Sequence, residues 1–448
     1  MDKKFIIIGG VGLLIIILLI VFLVRGKTTT TTSKTNTMVI WDYKNEKAAY
    51  DPVILAYQKM KNIKVQYVVK DPNSYLEDTV NAMAAGNGPD VWIVPANILP
   101  QYHDKLYPMP AGGFADPDNK KNDLEVYKDS YPPVVTQDNV INNQIYGVPL
   151  TIDSLKLFVN QDLANKALNE YLQTHPNIDI SAMSNTISNP TIWDDVVTAD
   201  HIITTKTAKG DISRSAIALG TSDNIPAATD ILTALMMQNG AKMVTDDLGT
   251  AQFNTSQNLF GKIQYPGTKA LEFYTSFSNP KNANYTWNSK MGNARRAFAE
   301  GKVAMLIDYD SAKDEIRNIS PNFYYRTLNL PQIKESLNPI DIAQYDTLVV
   351  SKTSTMPLIA WRFVLTATVG NYVSSYYAIT GKSDNFQDQQ VNYCQSWYNP
   401  DTIKVQAIFA NAIDQAVAGK DTQTAMDGAA GQVTTLLGKL KAQLQTVN

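Results

Sequence analysis

From Met38 onward, short apolar runs alternate with longer stretches in which apolar residues recur every three or four positions. Met38 to Trp41 is apolar and β-prone. Pro52 to Met60 carries Val53, Ala56, Tyr57 and Met60 at helical spacing, and Ile63, Val65, Tyr67 and Val69 alternate as in a strand. Tyr75, Leu76, Thr79, Val80 and Met83 form the next helical stripe, with Ser74 as its capping candidate and Gly86 as its stop. Val91 to Val94 then reads as a strand. This β-α-β-α-β order predicts a mostly parallel sheet covered by helices.

The Pro-, Gly- and Asp-rich stretch from Pro108 to Asp118 and the turn Tyr131, Pro132, Pro133 interrupt the pattern and read as surface loops. Leu155 to Val159 predicts another strand. Helical patterns then dominate, over Ile231 to Met237, Lys269 to Phe277, Pro357 to Thr368 and Thr402 to Val417. No repeat at a fixed period is visible.

The N-terminus differs in kind. Phe5 to Val24 is an apolar run without charge or proline, and as a helix it spans about 30 Å, the hydrocarbon thickness of a bilayer. It ends in Val24, Arg25, Gly26, Lys27 rather than in a small-x-small cleavage site, which predicts an uncleaved transmembrane anchor. Residues 1–4 are then cytoplasmic, although Lys3 and Lys4 against Arg25 and Lys27 give only a weak charge bias. Thr28 to Thr37 is too polar to drive its own ordering and reads as a tether over residues 25–37.

With 448 residues, 44% of them hydrophobic, the chain is too long for one core, so two domains are expected. A net charge of -3 supplies no field for a phosphate backbone, which argues against nucleic acid as a partner. The single cysteine, Cys394, permits neither an internal disulfide nor an N-terminal lipid anchor and is expected in the core. His103, His175 and His201 lack metal-ligand spacing, and no Gly-x-Ser-x-Gly elbow is present. Gly381, Lys382, Ser383 has Tyr376 where a phosphate loop needs its first glycine, so it reads as a turn. The acid pairs Asp194 and Asp195, Asp246 and Asp247, and Asp308 and Asp310 read as surface or capping groups before glycosidase pairs.

A series of segments, taken in order, is more specific. They are Val39, Ile40, Trp41, Asp42, Tyr43; then Met83, Ala84, Ala85, Gly86 with Gly88, Pro89, Asp90, Val91; then Tyr146, Gly147, Val148, Pro149 leading to Leu157 through Leu163. Pro190, Thr191, Ile192, Trp193, Asp194, Asp195 follows, with Thr191 as the expected cap, then Phe298, Gly301, Lys302, Val303, Ala304, Met305 and Ala360, Trp361, Arg362, Phe363. This series resembles the extracellular solute-binding protein family 1, which includes maltose- and other carbohydrate-binding proteins. The resemblance implies an α/β, two-lobed periplasmic-binding-protein-like fold of type II, each lobe a mainly parallel sheet flanked by helices, preceded by the N-terminal transmembrane helix. It places one lobe at 38–150 plus about 326–370 and the other at 151–325 plus about 371–448, with a solute bound between lobes that close by hinge rotation.

Ligands of doubly wound sheets sit just past the carboxyl ends of strands, which selects Trp41, Asp42, Tyr43 and Asn97. The 23 tyrosines and 6 tryptophans suit sugar rings, whose faces stack on aromatics while carboxylates take the hydroxyls. The family resemblance adds Asp153 as an acidic ligand contact and Trp287, Tyr309, Asp310 and Tyr345 as residues of cleft-lining segments. One departure stands out. The family's sugar-stacking tryptophan after Ala304 and Met305 is replaced by Ser311, so that either Tyr309 substitutes for it or the ligand is not a carbohydrate. The implied function is a non-enzymatic, cofactor-free, membrane-anchored extracellular receptor that delivers a small solute, most simply a mono- or oligosaccharide, to an ABC permease. A secreted glycan-active hydrolase and an anchored sensor or adhesin without transport are the alternatives.

Overall fold

The computed structural model describes residues 37–445, apart from 62, 117, 119, 260, 335–337 and 370. The expected anchor, residues 5–24, and nearly all of the tether lie outside the described residues. Among the described residues no helix is long and apolar enough to cross a membrane.

The strands, in chain order, begin with β1 (Thr37–Asp42), β2 (Lys64–Val69), β3 (Val91–Pro95), β4 (Val140–Ile141), β5 (Gln144–Ile145) and β6 (Gly147–Pro149). They continue with β7 (Asp153–Val159), β8 (Thr205–Lys206), β9 (Ile212–Ala218), β10 (Gln257–Leu259) and β11 (Lys262–Gln264). The last are β12 (Val303–Tyr309), β13 (Arg326–Asn329), β14 (Asp341–Gln344), β15 (Asp346–Val350) and β16 (Cys394–Gln395). The chain divides into two compact units. The first holds the chain up to Ile152 together with Gln344–Asp388, and the second holds Asp153–Ala343 and Gln389–Asn448.

The first unit is built on a sheet of order β2-β1-β3-β15-β6. β1 pairs parallel with β2 and β3, and β15 alone runs against its neighbours β3 and β6. Because Asp346 faces Pro95 and Thr347 faces Pro149, the start of β15 shares an edge with the ends of β3 and β6. The opposite edge is organised by the Gly86 to Asp90 segment. Gly86 adopts φ 75°, and a Cβ on Gly88 would fall 2.7 Å from Met83 Cγ, so both glycines are required for the tight exit from helix Tyr75–Ala84. Asp90 then accepts from the Val39 N–H at 2.8 Å and the Ser354 hydroxyl at 2.6 Å, fastening the beginning of β1. This motif is structural.

The second unit has a sheet of order β16-β14-β7-β12-β9-β8, with β13 also paired to β7. It is more mixed than the expected mainly parallel sheet. β7 runs antiparallel to β12 and β13, and β8 antiparallel to β9, while β12 and β9 are parallel. The reason is the entry point: the chain enters this unit at the edge where β12 ends, with Leu155 facing Tyr309, so β7 must run the other way. All seven residues of β12 are buried, as an apolar central strand between helical layers demands. The strand Arg326–Asn329 therefore belongs to the second unit and helix Asn371–Thr380 to the first, whereas boundaries near 326 and 370 were expected.

Helices Pro357–Thr368 and Thr402–Val417 occupy the expected residues, and Cys394 is buried. Two expected caps differ. Ser74 makes no cap to the backbone; its hydroxyl donates instead to Asp78 at 2.7 Å. Thr191 is not the cap of helix Trp193–Ile203, because Asp195 from within the helix accepts from the Thr191 N–H, the Thr191 hydroxyl and the Ile192 N–H. A carboxylate at that position satisfies free N–H groups and the helix dipole together.

Candidate functional site

At the carboxyl edge of the first unit's sheet, three carboxylates are each gripped by a tyrosine hydroxyl. Asp42, fully buried at the end of β1, accepts from Tyr67 at 2.5 Å and from the backbone N–H groups of Lys44 and Glu46 at 2.9 and 3.2 Å. Asp346, at the start of β15, accepts from Tyr43 at 2.6 Å and is ion-paired with Lys44. Glu46 accepts from Tyr376 at 2.5 Å and is ion-paired with Lys382. The rings pack on one another, with Tyr50 5.5 Å from Tyr67 and 5.6 Å from Tyr376, and Tyr43 4.9 Å from Tyr75. Lys44, Glu46, Tyr50, Leu150, Asp346, Tyr376 and Lys382 are among the residues that line one small recess.

The electrostatics keep these groups in fixed roles. Burial raises the hydroxyl pKa values of Tyr43, Tyr67 and Tyr376 far above the ordinary range, and the carboxylates beside them, Asp346, Asp42 and Glu46, add to the shift. The tyrosines therefore stay neutral donors and the carboxylates acceptors. Burial opposes the charge on Lys44, but Asp346 outweighs it and the ammonium is held above its usual value. The ammonium groups are more open than their partners. Lys44 and Lys382 side chains are 36% and 35% exposed against 15% and 16% for Asp346 and Glu46, so the N–H donors stand nearer solvent than the acceptors.

The second unit brings Asp153, Tyr309 and Asp310 together at the end of β12. Asp153 Oδ2 accepts from the Ser311 N–H at 3.2 Å, while its Oδ1 is buried without a hydrogen-bond partner. Burial pushes the Asp153 carboxyl up, against the hydrogen bonds from Ser311. The Tyr309 hydroxyl lies beside Asp230, whose carboxyl burial pushes up to about 6 against that hydrogen bond. Asp310 is paired with Lys313 at 2.6 Å, and its N–H donates to the Ser154 carbonyl at 3.1 Å. Asp308 instead faces away in role: it forms a two-pronged ion pair with Arg295 at 2.7 and 2.8 Å. Ser311, standing where the family's tryptophan was expected, contributes backbone to Asp153 rather than a ring.

The remaining expected residues separate. Trp41 is buried with the Lys70 ammonium 3.6 Å from its ring centre, so that face is already covered. Asn97, just past β3, is half-buried. Trp287 is fully buried in the second unit's core, its Nε1–H donating to Asn224 at 2.9 Å, and no ring face is left for a solute. Tyr345 is turned into the first unit, its hydroxyl donating to Asp138 at 2.6 Å. Sequence patterns missed Lys44, Glu46, Tyr50, Tyr67, Asp346, Tyr376, Lys382 and Asp230. Asp346 alone had a signal, as the acid preceding an apolar strand beside the selected Tyr345. Among the described residues no group of three or more His, Cys, Asp or Glu side chains is arranged to hold a metal ion.

Residues 41–376 match the model of the bacterial extracellular solute-binding protein family. The chain belongs to this family. It is a family of binding proteins and not of enzymes, which leaves the hydrolase alternative unsupported. Over 134 residues the solute-binding protein is 27% identical to the galactooligosaccharide-binding protein of Bacillus subtilis (strain 168), an alignment spanning only 29% of each chain. It resembles the sugar-binding protein MalE from the phytopathogen Xanthomonas citri with a TM-score of 0.69 and 18% identity, over 92% of this chain and 99% of that one. The cyclic alpha-maltosyl-1,6-maltose binding protein from Arthrobacter globiformis gives 0.66 and 17%, over 90% and 99%. At such identities the likeness is one of fold, the two-lobed α/β periplasmic-binding-protein-like fold.

Proposed function

We propose that this solute-binding protein is the receptor of an ABC importer, that it captures a mono- or oligosaccharide on the extracytoplasmic side, and that it hands the sugar to the permease. The observation that carries this is the cluster of Asp42, Glu46 and Asp346, each bonded to a tyrosine hydroxyl at the carboxyl edge of one sheet. Fixed acceptors, exposed ammonium donors and tyrosine rings within one recess match the alternating hydroxyls and apolar faces of a pyranose. In the second unit, Asp153 with its unpartnered oxygen, together with Tyr309 and Asp310, forms a further group of candidate sugar contacts in this proposal. Trp41, Asp42, Tyr43 and Asn97 would border the first unit's recess, and Trp287 and Tyr345 would act through packing. The sugars named for the related proteins, galactooligosaccharide and maltose derivatives, support the ligand class. Residues 5–24 would anchor the receptor in the bilayer and keep its concentration high beside the permease.

The test is thermal unfolding of the full-length protein against mono- and oligosaccharides, polyols, amino acids and phosphate esters. A ligand at 100 times its Kd adds about 2.7 kcal/mol to the native state. A sugar that shifts the wild type but not Asp346→Asn establishes the ligand class and the site. A shift produced only by an amino acid or a phosphate ester overturns the carbohydrate assignment. Flotation with lipid vesicles, lost on deletion of residues 5–24, checks the anchor.

A further inference from the structure

One buried amide joins the three stretches of chain that connect the two units. The chain passes between them after Ile152, after Ala343 and after Asp388. Gln390 Nε2 donates to the Leu155 carbonyl at 2.6 Å and to Asp341 Oδ2, and Gln390 Oε1 accepts from Lys156 Nζ at 2.8 Å. Leu155 and Lys156 follow the first passage, Asp341 precedes the second, and Gln390 follows the third. All four are buried. A second tie runs beside this one, because β14 and β16 pair with Asp341 opposite Cys394.

A buried position beside β7 has no packing need for an amide. What glutamine offers is two donors and an acceptor on one rigid plane, and here the N–H₂ end takes partners beside the first and second connections while the oxygen takes Lys156 beside the first. Leucine would leave a carboxyl, an ammonium and a carbonyl short of a partner in a dry interior, and glutamate would remove the donor. We infer that Gln390 is a positioning residue, locking the points at which all three connections leave the second unit and thereby setting where Asp153 stands. Asp153 lies two residues ahead of Leu155 on β7. The second half of this inference rests on the receptor proposal; the first does not.

Hydrogen exchange of the full-length protein separates the two. In Gln390→Leu, amides of Ser154 to Lys156 and of Asp341 to Ala343 exchange about tenfold faster or more, in concert, while those of helix Ala228–Gln238 keep the wild-type rate. Lys156→Met, which removes one arm only and is the fallback should Gln390→Leu not fold, loosens the same amides to a smaller extent. Faster exchange confined to residues 389–394, or spread evenly over the second unit, overturns the inference and reduces Gln390 to a packing residue. Where a sugar is bound by the wild type, both variants weaken it about tenfold with Asp153 intact. Concerted loosening with no sugar bound by any form sustains the lock and overturns the receptor proposal instead.

Discussion

The Tyr376 hydroxyl donates to Glu46 Oε2 across 2.5 Å and 330 residues of chain. That bond brings helix Asn371–Thr380 down on the loop after β1 and, with Lys382, closes one side of the recess. Tyr376→Phe removes a charge-assisted bond to a half-buried carboxylate, so unfolding in urea is expected to show a loss of about 1–3 kcal/mol. Sugar affinity falls with it. A variant with wild-type stability and affinity would show that the bond organises nothing.

Asp153→Asn keeps the shape of the side chain but places an N–H₂ donor where one of two acceptor oxygens stood. The bond from the Ser311 N–H survives through one oxygen, so thermal stability changes little, while the oxygen proposed to meet solute is lost as an acceptor. Titration calorimetry is expected to give about tenfold weaker sugar binding or more, from the roughly 1–3 kcal/mol of a mismatched buried polar group. Unchanged affinity would remove Asp153 from the site.

Trp287 divides packing from binding. Its ring is sealed in the core, so Trp287→Ala is expected to cost about 3–5 kcal/mol in denaturant unfolding. Trp287→Phe, which fills most of the volume, costs less and leaves the sugar Kd of the folded protein unchanged. A weakened Kd for the Phe variant at full stability would place the ring against solute after all.

Asp341 gives a pH dependence. Burial pushes its carboxyl from 3.8 up to about 8, against hydrogen bonds from the Ile342 N–H and Gln390 and the attraction of Lys156, with Asp153 adding to the rise. Between those values the folded chain holds a proton that the unfolded chain has released. Stability from this group is therefore fully present below the unfolded value, falls as pH rises, and levels off above about 8. Urea midpoints between pH 5 and 8 are expected to decline with a slope of up to about 1.4 kcal/mol per pH unit from this residue. Asp341→Asn, which cannot ionise, flattens the decline; an equal slope in both proteins would assign the effect elsewhere.

How much of this was legible in the sequence depends on the range of the physics involved. Helices Pro357–Thr368 and Thr402–Val417 lie where apolar spacing placed them, since periodic burial is written into neighbouring residues. The position of Asp42 and Tyr43 at the sheet's carboxyl edge was legible because any residue at or just past the end of a parallel strand stands there. The place of Trp287 was not, because a tryptophan in a polar stretch reads equally as rim and as core until its hydrogen bond to Asn224 is known. The expected parallel character of the second sheet failed at β7 for a similar reason. Strand direction follows from where the chain enters a sheet, and local pattern carries no such information.

By itself the sequence determined the alternation of strands and helices and the presence of an apolar N-terminal run, which follow from local spacing and composition, while the family and its two-lobed α/β fold followed from the resemblance of its ordered motifs. Only the tertiary structure decided which side chains meet. Glu46 with Tyr376, Tyr43 with Asp346, and Gln390 with Leu155 and Asp341 are pairings of residues far apart in the chain. A hydrogen bond of this kind depends on placing two atoms within about 3 Å. That placement is the sum of every strand register and helix packing between them.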